Sequence, residues 1–484
     1  MRAVFIFLFM TISILGYSQN DSLQTEGVKQ YKKRVLESVE LDFLTSYYTQ
    51  DGANASVTGG IGSEELNNFA TNISVAIPLN DDDVLSFDGT ISAYTSASSS
   101  NLNPFTGASS GASDDDDDDD YRPSVTTGPV TGSPWVASSG ASQGDVWISG
   151  ALNYSHSSDD RNTILSAHTS IAKEFDYSSF GFGGGVTKLF NKKNTEVTFS
   201  SSIYLDKWKP EYPTEIKEYS NYDGNLDGGF FNGVDILDQN GNVIDKNGIV
   251  TWRPFNTSLI NDEKRNTYSA SLSFSQILGR NLQFSIFVDA VWQEGWLSNP
   301  MQRVYFGDRA NYYIGNGSSI PDYTSPTNTD VFQLADDIER LPGTRLKIPV
   351  GTRLNYYISE RFVLRTYYRY YNDDWGIDSH TAQVELPVKL TNTLTLTPSY
   401  RYYNQTAAYY FAPYEEHVIT DTYYTSDYDL SAFESSQVSI GLTYTDIFTK
   451  FIGLKSLDLN YGYYQRNTGL NAQIITLGAK FIID

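Results

Sequence analysis

The residues best equipped for chemistry are seven consecutive carboxylates, Asp114, Asp115, Asp116, Asp117, Asp118, Asp119 and Asp120, in the stretch SSGASDDDDDDD at 109–120. Carboxylates are hard oxygen ligands suited to Ca²⁺, but a uniform run lacks the spaced ligands and turn glycine of a defined calcium loop. Three roles stay open for it: a Ca²⁺ site, a gate that folds inward against basic side chains, and a solvated spacer. A second oxygen-rich stretch, LDQNGNVIDKNG at 237–248, sets Asp238, Asn240 and Asn242 at alternate positions. Its glycine comes early and no Glu closes the site, so it reads as Asn-Gly hairpin-turn chemistry.

Other chemistries find little support. The four histidines, His156, His168, His380 and His417, are scattered without the spacing that puts two metal ligands on one face. Zero cysteines exclude disulfides, thiolate metal sites and a thiol nucleophile. GFGGGV at 181–186 lies in a strand-like segment, where glycines relieve crowding or mark a bend and do not cradle a phosphate. No GxSxG or other nucleophile motif is present, so the chain is not expected to be an enzyme. A net charge of −24 argues against a nucleic-acid partner, which needs a basic face.

The chain opens MRAVFIFLFMTISILGYSQ, a positive start followed by a short apolar run and small residues, which reads as a signal peptide over 1–18. A short periplasmic segment is expected over 19–33. From about 34 to 484 the recurring pattern is alternation at period two, broken by Asn, Asp, Gly and Ser clusters. In VELDFLTSY, Val39, Leu41, Phe43 and Tyr47 fall on one side and Glu40, Asp42 and Ser46 on the other.

About sixteen such stretches start near 35, 68, 84, 145, 163, 179, 195, 266, 281, 346, 361, 378, 393, 432, 455 and 470. Every second connection is short, and the long ones, near 50–67, 98–143, 209–264, 296–344 and 412–430, all fall in the other set. This sorting predicts an all-β, antiparallel transmembrane β-barrel of about 16 strands in the cell outer membrane, with long extracellular loops and short periplasmic turns. No helix of useful length is expected. Tyr47, Tyr48, Tyr370, Tyr371, Tyr402, Tyr403, Tyr463 and Tyr464 crowd the strand ends beside the long loops, as an outer aromatic girdle would. Trp208, Trp252 and Trp296, at or near loop edges, read as interfacial anchors or, more sharply, as walls of a pocket.

If the apolar set meets lipid, the alternate set faces a lumen. It carries a basic wall of Lys347, Arg353, Arg365, Arg369, Lys389 and Arg401 on four neighbouring strands, and an acidic side of Glu40, Asp42, Asp88, Glu196 and Asp289. Walls of unlike charge favour small polar or ionic solutes if the lumen is open; if the charges pair across the interior, they plug it.

The two SSGAS segments, the acid run between them, GDVWISGALNYSHSSDDRNT and TEVTFSSSIYLDKWKP together resemble an uncharacterised family of Gram-negative outer-membrane β-barrels, a domain of unknown function. The resemblance covers most of the chain after the signal and is clearest from about 90 to 210. In that family the genes often lie beside those for a small lipoprotein, a thioredoxin-like protein and a flavin transferase. It therefore implies an extracytoplasmic redox or metal setting and a lipoprotein partner. The chain itself offers no cofactor site beyond Ca²⁺ in its extracellular loops. Porin-like passage of a small polar or ionic solute, or of a partner segment, through a charged lumen is the leading expectation. The alternative is a closed barrel that anchors a surface lipoprotein.

Overall fold

The computed structural model describes residues 34–96, 144–174, 177–210, 212–255, 259–260, 263–325, 328, 330–445 and 453–483. Asp114 to Asp120 lie outside them, as does the expected signal peptide.

Sixteen antiparallel strands form one closed barrel. They are β1 (Val39–Asp51), β2 (Leu66–Pro78), β3 (Asp83–Ser96), β4 (Gly144–Ser157), β5 (Thr163–Lys173), β6 (Tyr177–Phe190), β7 (Thr195–Trp208), β8 (Glu263–Gly279), β9 (Leu282–Gly295), β10 (Thr344–Ser359), β11 (Phe362–Asp373), β12 (Asp378–Glu385, continued by Val388–Lys389), β13 (Leu394–Gln405), β14 (Phe433–Thr445), β15 (Leu454–Arg466) and β16 (Asn471–Ile483). Pro387 interrupts β12, because proline has no N–H to give the ladder. The barrel closes by pairing β1 with β16, from Val39 opposite Ile483 to Asp51 opposite Asn471. Closure leaves no strand edge unpaired, a condition that lipid imposes.

Period-two alternation builds this wall because it gives each strand one face for lipid and one for the interior. Outward side chains such as Phe69, Ile91, Ile171, Val438 and Leu477 are large, apolar and exposed. Opposite Leu459 on the outer face, its neighbour Asn460 points into the lumen. Leu459→Arg is expected to cost roughly 2–4 kcal/mol of barrel stability, as a cation at mid-membrane does. Asn460→Arg is expected to be close to neutral, and refolding titrations into lipid vesicles compare the two.

Short turns occupy one end, for example 79–82, 158–162, 191–194 and 390–393; the long connections 52–65, 209–262, 296–343 and 406–432 occupy the other. Among the described residues the largest buried apolar cluster lies in these connections and not in the barrel wall. It joins Tyr212, Ile216, Phe231, Ile236 and Trp252 of 209–262 to Tyr305, Phe332, Leu334 and Ile338 of 296–343, with Tyr414 of 406–432 packed against them. This cap contains an eight-residue helix, α1 (Thr214–Asn221), which the alternation argument did not anticipate. Two turns of helix are too short to show a period against surrounding turns.

The cap spans the mouth. The β1–β2 and β9–β10 connections leave the ring at opposite sides, yet Arg303 of the second donates to the Val57 carbonyl of the first at 2.7 Å. Gly59 lies so close to the Tyr305 ring that an added Cβ would sit 2.6 Å from it, and its φ of +80° also favours glycine.

Candidate functional site

The register fixes which side chains share the lumen, since residues paired across antiparallel strands point to the same face. One lateral row runs Arg353, Tyr367, Gln383, Arg401, Gln437, Tyr464 across β10 to β15. The next row towards the mouth runs Gly351, Arg369, Thr381, Tyr403, Ser435, Arg466. Arg353, Arg369 and Arg401 therefore sit on adjoining rows of one wall. Arg353 lies 5.7 Å from the Phe287 ring and 5.5 Å from that of Tyr367, and Arg369 lies 5.7 Å from that of Tyr371. Among the described residues none of these three arginines has a carboxylate within ion-pair distance.

The other three expected basic residues are placed differently. Arg365 faces Glu385 at 3.8 Å. Lys347 stands near the mouth opposite Asp373, whose carboxylate is already held by Arg345 at 2.5 Å. Lys389 is at the short-turn end, away from the trio.

The expected acidic side is divided. Glu40 pairs with Lys480 at 2.7 Å and Lys455 at 3.5 Å, and Asp42 with Lys480 at 3.2 Å. Asp88 accepts from Asn153 at 2.9 Å. Glu196 lies near the short-turn end of β7 and Asp289 at mid-height on β9, so the five do not meet as one wall. Lys480 and Lys455 escaped the sequence reading, although Lys480 has the inward parity of the last strand.

Alternation also splits the tyrosine pairs, which corrects the assignment of all eight to one girdle. Tyr47, Tyr370, Tyr402 and Tyr463 face outward and are exposed. Their neighbours Tyr48, Tyr371, Tyr403 and Tyr464 face inward, because consecutive strand residues point to opposite faces. There Tyr371 donates to Asp373 at 2.8 Å and Tyr403 to Gln405 at 2.5 Å, while Tyr464 accepts from Arg466 at 3.2 Å. The glycines of β6 serve the same interior. A Cβ on Gly181 would meet the Tyr204 ring at 2.7 Å, and one on Gly183 would meet His168 at 2.6 Å.

Solvent reaches this lumen unevenly. Inward residues nearest the cap, such as Gln293, Asp373, Ser379 and Ala472, are buried. Arg353, Arg365, Arg401, Asp458 and Asn460, deeper towards the short turns, are exposed. Among the described residues the interior is thus exposed towards the short-turn end and buried beneath the cap.

Within the cap, Trp252 is fully buried, donates to the Ala335 carbonyl at 3.0 Å and packs on Phe231 and Tyr219. It is a core residue and not an interfacial anchor. Arg303 and Glu215, both with fully buried side chains, form a two-pronged ion pair at 2.7 and 3.1 Å. A second polar cluster lies between 296–343 and 406–432. Burial pushes Glu339 up to about 8, helped by the nearby Asp427. Burial likewise pushes Asp336 and Asp427 up to about 6. His417 is buried, with Nε2 2.9 Å from the Thr425 carbonyl. Among the described residues no group of three or more His, Asp or Glu is placed to hold a metal ion. Asp238 spends its oxygens on its own turn, accepting from the backbone N–H groups of Asn240 and Asn242 at 2.8 and 2.9 Å and from the Asn242 amide at 3.0 Å.

Residues 69–479 match the family model described as "Protein of unknown function (DUF3570)". Comparison with curated proteins gives no match. Among solved structures the chain is similar to a bacterial polysaccharide outer membrane secretin, at 8% identity and a TM-score of 0.42, covering 92% of this chain and 99% of that one. It is similar to OpdK of Pseudomonas aeruginosa with vanillate, at 8% identity and a TM-score of 0.35, over 92% and 98% of the two chains. It is also similar to a BenF-like porin from Pseudomonas fluorescens Pf-5, at 10% identity and a TM-score of 0.36, again over 92% and 98%.

Proposed function

This chain belongs to the family described as Protein of unknown function (DUF3570), and on that premise we propose an outer-membrane channel that passes small polar solutes and prefers anions among them. The observation that carries this reading is the lumen trio Arg353, Arg369 and Arg401, whose charges meet no carboxylate among the described residues. Elsewhere in the lumen Glu40 and Asp42 are neutralised by Lys480 and Lys455, while Asp88 and Asp289 form no ion pair among the described residues, so it is the clustering of three arginines on adjoining rows of one wall that favours anions. A fixed charge left unpaired in a narrow aqueous passage with low-dielectric walls selects ions by sign. The cap across the mouth restricts that passage to small solutes.

Planar-bilayer recordings under a salt gradient test the reading. The intact protein is expected to give a small, anion-preferring current, and replacing the three arginines together by glutamine is expected to lower the anion-to-cation permeability ratio several-fold. An unchanged reversal potential in the triple variant would sink it.

The rival reading, a closed barrel that anchors or assembles a surface lipoprotein, draws on the cap, which ties several connections into one folded outer body. Silence of the wild type in the bilayer, with co-purification of a lipoprotein, would favour it. An extracytoplasmic redox or metal setting rests on the family resemblance, and Ca²⁺ at the Asp114 to Asp120 run rests on the hard-oxygen chemistry of its carboxylates. Calorimetry of calcium binding to intact protein against a deletion of the run tests the latter.

A further inference from the structure

Between the lumen wall and the 406–432 connection lies a cavity of about 360 Å³, lined among others by Arg401, Tyr403, Phe433, Gln437, Tyr464 and Arg466. We propose that it is a binding site for an aromatic monocarboxylate, which deepens the reading of the lumen as an anion passage and rests on it. Its size lies at the small end of ligand pockets, which run from roughly 300 to 1,000 Å³. Its chemistry is divided in the way such a ligand needs.

The two guanidinium groups are unequal. Arg466 is held in place: its Cζ lies 4.1 Å over the Phe433 ring, Nε donates to the Tyr464 hydroxyl at 3.2 Å, and Nη1 meets Asp429 at 2.8 Å. Arg401 is exposed to the lumen and has no acidic partner among the described residues. Two arginines against one aspartate leave the cavity with a net charge of +1, which one carboxylate neutralises. Asp429 itself lines the cavity and holds Arg466, so Arg401 is the cation left for a ligand. A carboxylate accepts paired N–H donors from a planar guanidinium, so Arg401 supplies the anchoring fork. Gln437, beside Arg401 in the register, adds an amide donor within the same row.

The remaining wall is aromatic. Tyr403 and Phe433 lie 5.4 Å apart, centroid to centroid, and tilted by 41°. Rings at such distances accept a third ring edge-on or offset, an attraction beyond area burial alone. A ligand with charge at one end and a flat apolar body at the other matches both walls; a dianion or a polyol matches neither.

Equilibrium binding to the intact, detergent-purified protein tests this with benzoate as the probe and its neutral amide, benzamide, as the control. Benzoate is expected to bind at least tenfold more tightly than benzamide, and Arg401→Gln is expected to remove that preference. Equal binding of the two, or full benzoate affinity in Arg401→Gln, overturns the proposal. Should the variant fail to fold, the wild-type comparison of benzoate with benzamide still decides it. Anion-preferring current without benzoate binding rejects this site and leaves the passage reading standing. Selective benzoate binding in a barrel that carries no current supports the site and rejects the passage.

Discussion

Arg303→Met is expected to destabilise the cap by about 3–5 kcal/mol, the usual cost of leaving one partner of a buried ion pair alone. Glu215 would then be a carboxylate with no exposure and no cation, at the base of α1, against the cluster that contains Ile216 and Trp252. Arg303 also carries the bond to the Val57 carbonyl that ties the cap across the mouth. The barrel wall has its own hydrogen-bond ladder and should survive. Limited proteolysis of the protein in vesicles is expected to cut within 209–262 or 296–343 in the variant and spare the wild type, while the barrel remains heat-modifiable on a gel. The double variant Arg303→Met with Glu215→Leu is expected to recover most of the loss, because no buried charge remains. If the single variant keeps wild-type protease resistance, the pair does not hold the cap. Bilayer current should rise in step with cutting, since the same contact restricts the outer end of the lumen.

The barrel could be read from the chain because its determinant is local. Every expected start, from 35 to 470, falls within a few residues of a strand, since lipid on one side and lumen on the other force the same period of two on all sixteen. The cap could not be read that way. Ile216, Phe231, Trp252 and Phe332 are brought together by turns of unequal length, and no period links them. The same limit applies to charge. Inward parity placed Glu40 and Asp42 in the lumen, but their partners Lys480 and Lys455 lie at the opposite end of the sequence and meet them only across the closing seam. Arg466 shares a strand face with Tyr464, two residues earlier, but nothing in its local sequence marks it out. Its weight comes from Asp429, which the 406–432 connection delivers, and from Phe433, the first residue of β14. In the tyrosine pairs the pleat decides: at Tyr370 and Tyr371 one ring belongs to the girdle and the next to the lumen.

Raising the pH from 6.5 to 8.5 is expected to loosen the cap, and Glu339 is the group responsible. Its carboxyl, ordinarily near 4.5, is pushed up to about 8 by burial and then by Asp427. A folded-state value above the unfolded one means that folding is favoured fully below about 4.5 and that the contribution is lost as pH rises towards and through about 8. The loss is about 1.4 kcal/mol per pH unit within that window and levels off above it. Asp336 and Asp427, pushed up only to about 6, have surrendered most of their share by pH 6.5. The groups facing Glu339 do not cancel the effect. Thr425 Oγ1 lies 2.5 Å from one carboxyl oxygen, the Asn299 N–H donates to the other at 2.6 Å, and Arg265 favours the anion, but burial and Asp427 outweigh them. Loss of roughly 2 kcal/mol between pH 6.5 and 8.5 should appear as faster proteolysis of the cap and larger bilayer current. Glu339→Gln keeps the shape and the hydrogen-bonding capacity but cannot ionise, so its cap should respond to pH little across the same interval. A wild type and a glutamine variant that loosen equally would assign the response to another group.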